Sequence, residues 1–354
     1  MKAWENNIRR VVPYVAGEQP NKVNMVKLNT NECPYPPTPE LEKALSGMDV
    51  ERSRLYPDPD AKLLVKAIAD FYDVSEDMVF VGVGSDDVLA NVFLTFFNSD
   101  KPILFPDITY SFYPVWSDVY GIKYKTKPVD KDFKIVKEDY YEANGGVIFP
   151  NPNAPTGIYE NLEFVEDIVK HNQESVVVVD EAYIDFGGES ALKLVDKYEN
   201  LLVVQTFSKS RSTAGLRIGF AIGHKDLIQA MKDVKFSINS YTMNMPSIIG
   251  GAAVMADKEY FDKIRNMIID TRENTKIELT KRGFTFPDSM SNFIFATHKD
   301  YDITDMFKYL RSKDVYVRHW DAENIKDYLR ITIGTDEEMD KFFEVVDEYM
   351  EDHK

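Results

Sequence analysis

The chain has 354 residues, of which 44% are hydrophobic and 29% charged, with a formal net charge of −17. That charge disfavours the nucleic acid backbone and anionic membrane surfaces as partners, because both attract basic segments. The length exceeds one ordinary core and predicts a large domain with a smaller one.

Taken in chain order, MKAWENNIRR at the start lacks the apolar stretch of a secretory leader. No later apolar run approaches the roughly 20 residues that span a bilayer. The one cysteine, Cys33, excludes an internal disulfide framework and fits a reducing compartment, so a cytoplasmic protein is expected. The first 40 residues are rich in proline, as in NECPYPPTPE, and predict an extended arm. From about residue 60, helical patterns (60–72, 85–97, 161–172) alternate with apolar runs: MVFVGVG (78–84), GVIF (146–149), SVVVVD (175–180) and LLVVQTF (201–207). Runs without polar alternation suit strands buried on both faces. Strands alternating with helices predict an α/β fold with a mainly parallel sheet, which binds ligands at the carboxyl ends of its strands. Beyond about residue 245 the pattern changes. Charged helices are expected over 256–282 and 336–351, with short strands FIFAT (293–297), VYVRH (315–319) and YLRITIG (328–334) between them. This predicts a smaller α+β domain.

The residues that carry chemistry fall at the predicted strand ends. Lys209, in TFSKS, follows the buried run LLVVQTF. A dry site favours the uncharged amine, the form that attacks an aldehyde. Ser208 precedes it and Arg217 follows eight residues on (217 − 209), between Gly215 and Gly219, so a phosphate site beside an imine-forming amine is plausible. Asp180 ends a run of four valines, where a carboxylate is costly without a partner, and a protonated pyridine nitrogen would serve. Tyr183, three residues on, could hydrogen-bond a ring substituent. In GVGSDDVLANVF, Gly82 and Gly84 lead into a helix capped by Ser85, a turn whose N–H groups suit a phosphate. It is neither a Walker loop nor a complete GxGxxG. NPNAPTG (151–157) fixes a rigid loop after GVIF, from which an asparagine could read a phenolic oxygen. Tyr110, in ITYSFYP, could stack on a flat ring. Tyr56 precedes the rigid turn PDP. Arg318 and Arg330 sit on otherwise apolar strands and call for an anion, either an internal carboxylate or the acidic group of a substrate. Taken alone, each residue has an ordinary reading: a solvated lysine, a strand-end acid capping the next helix, a common Gly-Ser helix start.

Together these segments, with KLNTNECPYPPTP, YPDP, VDEAYIDF and LRITIGT, resemble the fold-type-I aminotransferases that use pyridoxal phosphate (PLP). Within these they are similar to the histidinol-phosphate aminotransferase family, over about residues 10–350. The resemblance implies a large PLP-binding domain with a mainly parallel mixed sheet covered by helices, and a smaller α+β domain. Residues 1–45 would form an arm and part of the small domain, 46–245 the large domain and 246–354 the rest of the small one. Lys209 would carry PLP as a Schiff base and move the proton between substrate and cofactor. Asp180 would hold the ring nitrogen and Tyr183 the phenolic oxygen. Gly84, Ser85, Asp86, Ser208 and Arg217 would surround the cofactor phosphate, and Tyr110 would stack on the ring. Tyr56 would reach the phosphate from the second subunit of an obligate homodimer. Arg330 and Arg318 would hold the acidic group of the substrate, with Tyr14 lining the same site. No metal, nucleic acid or membrane is expected.

Two positions depart from the family pattern. The usual loop reads NPNNPTG, and here Ala154 stands where the second asparagine contacts the ring oxygen, so either Asn153 takes that role or Tyr183 does more of it. Cys33 stands where asparagine is common. The implied reaction is amino transfer between L-histidinol phosphate and 2-oxoglutarate. A PLP decarboxylase acting on threonine phosphate would share nearly every cofactor residue, and an aromatic or broad-specificity aminotransferase is a third reading.

Overall fold

The computed structural model describes residues 2–354. Its strands are β1 (Val26–Lys27), β2 (Val79–Gly82), β3 (Ile103–Pro106), β4 (Tyr124–Lys127), β5 (Val147–Pro150), β6 (Val177–Asp180), β7 (Leu201–Thr206), β8 (Gly219–Gly223), β9 (Phe293–Ala296), β10 (Val315–Tyr316) and β11 (Leu329–Thr332). Its α-helices are α1 (Pro39–Ser46), α2 (Lys62–Tyr72), α3 (Ser85–Phe96), α4 (Phe112–Tyr120), α5 (Leu162–His171), α6 (Lys225–Ile238), α7 (Met245–Ala256), α8 (Lys258–Lys281), α9 (Ile303–Ser312) and α10 (Asp336–Asp352). Among them no helix is long and apolar enough to cross a membrane.

Seven strands form one sheet in the order β2-β8-β7-β6-β5-β3-β4. Only β8 runs antiparallel to its neighbours. Every residue of β2, β3, β5, β6, β7 and β8 is buried. Alternate side chains of each strand enter opposite layers, as the two-residue strand period requires. Val177, Val179, Leu201 and Val203 pack with α2, α5 and α7, whereas Val178, Leu202 and Val204 pack with α3, α4 and α6. The exposed edge is β4, whose Lys125 and Lys127 pair with Glu142, a charged edge that discourages further strand pairing.

A second cluster joins Leu28, Ile268, Ile294, Leu310, Ile331 and Phe342. It fills the space between α8, α9, α10 and two short pairings, β1 with β10 and β9 with β11. The N-terminal arm is thus tied down at β1. The VYVRH strand shortens to Val315–Tyr316, and Arg318 makes only an isolated bridge to Arg330. Beyond position 246 the first buried residue of the second cluster is Ile264, in α8. Helix α7 packs on α1 and α2 and places Ile248, Val254 and Met255 in the layer under the large sheet. Asp257 separates it from α8, whose N-terminus it caps by accepting from Tyr260 N.

The chain reverses its direction of travel across the sheet between β3 and β5. Loops diverge at such a switch point and leave a crevice outside the carboxyl ends of the strands.

Candidate active site

A cavity of about 550 Å³ opens at that crevice. The loops after β3, β5, β6 and β7 line it from the large sheet, and Arg318, Trp320 and Arg330 line it from the small domain. Tyr14 and neighbouring residues of the N-terminal segment close one side, with Tyr14 stacked on Phe112 at 4.2 Å.

Lys209 sits three residues beyond the end of β7. The turn is fixed by Phe207 N donating to Ile218 O at 3.0 Å and Ser208 N donating to Thr206 Oγ1 at 3.1 Å. The amine enters the cavity, where it donates to Thr30 O at 3.0 Å and lies 5.7 Å from the centre of the Tyr183 ring. Asp180 ends β6 and is buried. Its Oδ2 accepts from Tyr113 Oη at 2.9 Å and its Oδ1 from Ala182 N at 3.3 Å. Burial raises its pKa to about 7, against the opposing pull of those two donors. Two hydrogen bonds and no cation leave this carboxyl short of the partner that a buried charge requires. Tyr183 Oη accepts from Asn31 Nδ2 at 3.0 Å, and Asn31 Oδ1 in turn accepts from Thr332 Oγ1 at 2.9 Å.

The anion cup lies at the start of α3. Gly84 (φ 88°) turns the chain so that a Cβ there would meet the Arg217 guanidinium. A Cβ at Gly219 would overlap the backbone of Gly84 and Ser85, so β8 and the start of α3 touch only because residue 219 is glycine. The start of α3 thereby lies beside Arg217, which also reaches Ser208, and a helix start with a guanidinium and a hydroxyl next to it suits a phosphate. Arg217 lies 3.5 Å from Ser208 Oγ and 3.6 Å from Asp86 Oδ2, and Tyr110 Oη donates to Asp86 Oδ1 at 2.7 Å.

Across the cavity, Arg318 and Arg330 face each other on paired backbone, with Arg318 N to Arg330 O at 3.0 Å and Arg330 N to Arg318 O at 2.9 Å. Arg330 Nη2 donates to Asn29 O at 3.0 Å, but its Nε is buried with no partner. Burial first, and the like charge of Arg318 after it, lower the proton affinity of the Arg330 guanidinium. Among the described residues neither arginine forms an ion pair.

The fold thus gathers Tyr14, Ser85, Asp86, Tyr110, Asp180, Tyr183, Ser208, Lys209, Arg217, Arg318 and Arg330 around one cavity, with Gly84 beside it. Asn153 lies elsewhere, and Tyr56, expected to serve the second subunit, does not line this cavity. Asn153 turns away from the cavity: its amide donates to Ile108 O at 2.9 Å and accepts from Thr109 Oγ1 at 3.2 Å. Ala154 and Pro155 are the residues of that loop that line the cavity. Tyr56 is 80% exposed, stacked on Tyr241 at 4.6 Å, and outside the cavity of its own chain. Asn31 and Tyr113 lie inside the motifs KLNTNECPYPPTP and ITYSFYP, which carried no role for either residue.

Residues 23–346 match the family model described as aminotransferase class I and II. The chain belongs to that family. It is 49% identical over 348 residues to the histidinol-phosphate aminotransferase of Lactococcus lactis subsp. cremoris, covering 98% of each chain. It is 52% identical over 337 residues to the enzyme of that name from Pseudomonas syringae pv. syringae, covering 95% of this chain and 96% of the other. The solved structure of histidinol-phosphate aminotransferase from Sinorhizobium meliloti in complex with pyridoxal-5′-phosphate shares the fold. Its TM-score is 0.80 at 22% identity, with 88% of this chain and 87% of that one covered.

The cofactor of this family is PLP, and the residues present fit it. A cavity-facing amine, a buried carboxyl lacking a cation, and a glycine-lined cup with an arginine are three separate requirements of one molecule that carries an aldehyde, a pyridine nitrogen and a phosphate.

Proposed function

We propose that this chain transfers the amino group of L-histidinol phosphate to 2-oxoglutarate, giving imidazole acetol phosphate and glutamate. The observation that carries the reading is the pair Arg318 and Arg330, two guanidiniums that have no ion-pair partner among the described residues and line the same cavity as Lys209. One pair serves both substrates, because arginine binds phosphate and carboxylate alike. Identity near 50% to relatives of that name, over nearly their whole length, supports the same substrate.

When bound, PLP supplies an aldehyde that takes up the amino group and an electron-poor ring that spreads the charge left on Cα. The other steps belong to the chain. Lys209 would hold the cofactor at rest, then move the proton from substrate Cα to the cofactor carbon C4′. Thr30 O, already its acceptor, keeps the released amine beside the reacting carbon. Asp180, held by Tyr113, would keep the ring nitrogen protonated, and the Asn31–Tyr183 pair would hold the phenolic oxygen. With Asn153 committed to Ile108 and Thr109, that contact falls to Tyr183. Gly84, Ser85, Asp86, Ser208 and Arg217 would form the phosphate cup, with Tyr110 held over the ring by Asp86. The segment carrying Tyr14 would exclude water.

A homodimer completes the reading. Tyr56 and Tyr241 stack at the surface, Leu55 and Ile238 close by in the chain are also exposed, and a second chain covering them would receive Tyr56 in its own phosphate cup. A single cysteine supports a cytoplasmic location.

The test is turnover by the purified dimer of histidinol phosphate and of threonine phosphate, each with 2-oxoglutarate. Glutamate formed with the first donor is expected. Carbon dioxide released from the second, without glutamate, would replace this reading by a decarboxylase.

A further inference from the structure

Trp320 lies against both substrate-facing arginines. Its ring centre is 5.3 Å from the Arg318 guanidinium and 5.2 Å from that of Arg330. The indole lines the cavity and packs on its other side against the cluster of Ile108, Phe295 and Ile325. Two like charges on paired backbone repel each other, and the negative face of an aromatic ring offsets that repulsion when no anion is present.

The two arginines do not depend on the ring equally. Arg330 is also held by Asn29 O at 3.0 Å and by the Phe293 ring at 5.3 Å. Among the described residues the Trp320 ring is the one side-chain contact of this kind for Arg318, and Gly17, where a Cβ would come within 3.4 Å of its Nη1, offers no acceptor side chain. A carboxylate presents two oxygens and one charge, which a single guanidinium satisfies. A phosphate monoester presents three oxygens and close to two charges, and uses a second.

We infer that Trp320 is a specificity-determining positioning residue: it holds Arg318 beside Arg330, so that the site grips a phosphate monoester with two guanidiniums and a carboxylate with one. The inference builds on the proposed function and names what makes its site selective for the phosphorylated substrate.

Trp320→Leu and Trp320→Phe holoenzymes provide the test, since leucine keeps the apolar packing and phenylalanine keeps the aromatic face. In Trp320→Leu the KM for histidinol phosphate should rise about tenfold, the loss of the contact that holds Arg318, with kcat and the KM for 2-oxoglutarate changed less than about threefold. Trp320→Phe should stay near the unmodified enzyme. Calorimetric titration of each holoenzyme with inorganic phosphate should give the same order, weakest for Trp320→Leu. Equal rises in both KM values, a loss confined to kcat, or Trp320→Leu matching the unmodified enzyme would overturn the inference. So would loss of cofactor in Trp320→Leu alone, which would assign the ring to packing. If the unmodified enzyme fails to turn over histidinol phosphate, the substrate assignment fails, and the phosphate titration still decides the role of Trp320.

Discussion

Tyr113 is buried against Phe93, Phe105 and Trp116, and its hydroxyl is the single side-chain donor to Asp180 among the described residues. Burial and the adjacent carboxyl raise its own pKa, so it remains a neutral donor. Phenylalanine would fill the same space without the hydroxyl. Tyr113→Phe should therefore fold normally, yet bind PLP and turn over about tenfold less well, which is the loss of one hydrogen bond to a charged group. Titration of the apoprotein with PLP, beside single-turnover rates, measures both effects. Unchanged values would make the contact dispensable. Lys209, Asp180 and Arg217 were legible in the sequence because each combines a reactive or charged side chain with a strand end. Tyr113 and Asn31 were not. Their partners lie 67 and 152 residues away, and only the fold shows that one hydroxyl meets Asp180 and one amide meets Tyr183. Nor could the direction of Asn153 be read from NPNAPTG, since it is set by Ile108 and Thr109 on another loop.

At the scale of elements, legibility followed the strength of the pattern. The valine and leucine runs of β6 and β7 announced themselves because burial on both faces removes polar alternation. Helix α7, MPSIIGGAAVMA, is apolar nearly all round and so carries no 3.6-residue stripe, which hid both the helix and its place under the large sheet. The contact between α3 and β8 was also hidden, because glycines at 84 and 219 look like ordinary turn residues until their backbones meet. That contact gives a prediction. A methyl group at position 219 must push Gly84 and Ser85 away from β8, and the N–H groups of the phosphate cup move with them. Gly219→Ala should weaken PLP binding by at least about tenfold, a lost charge-assisted hydrogen bond or more. Binding of a phosphate-free pyridoxal should change less. Equal losses for pyridoxal and PLP, measured by titration of the apoprotein, would place the damage outside the cup.

At the scale of the whole molecule, the cofactor site trades stability for function at Asp180. Its folded-state pKa, about 7, lies above the ordinary carboxyl value of 3.8. The folded chain then holds a proton between those values that the unfolded chain releases, so the contribution of this group to stability is greatest below about pH 4 and falls as pH rises toward 7. Glu181, also raised to about 7 by burial, adds a slope of the same sign. Its oxygens are occupied, accepting from Ser190 Oγ at 2.5 Å, Ala191 N at 2.6 Å and Gln205 Nε2 at 2.9 Å, which marks it as a brace for the turn after β6. Comparison with Asp180→Asn isolates Asp180, because the amide never ionises and every other group is common to both proteins. Without cofactor, the excess stability of the variant over the parent should be smallest near pH 3.8 and grow up to about pH 7, by a few kcal/mol at most on the scale of 1.36 per pKa unit. Urea unfolding of both apoproteins across that range is the measurement. With PLP bound the order should reverse, because the pyridine nitrogen gives the carboxylate the cation it lacks, and amino transfer by the variant should fall by two orders of magnitude or more, on the order of the loss of one electrostatic partner of the reacting system. A flat difference between the apoproteins across pH would show that Asp180 is ionised at no cost before the cofactor arrives, and its burial would then need another explanation.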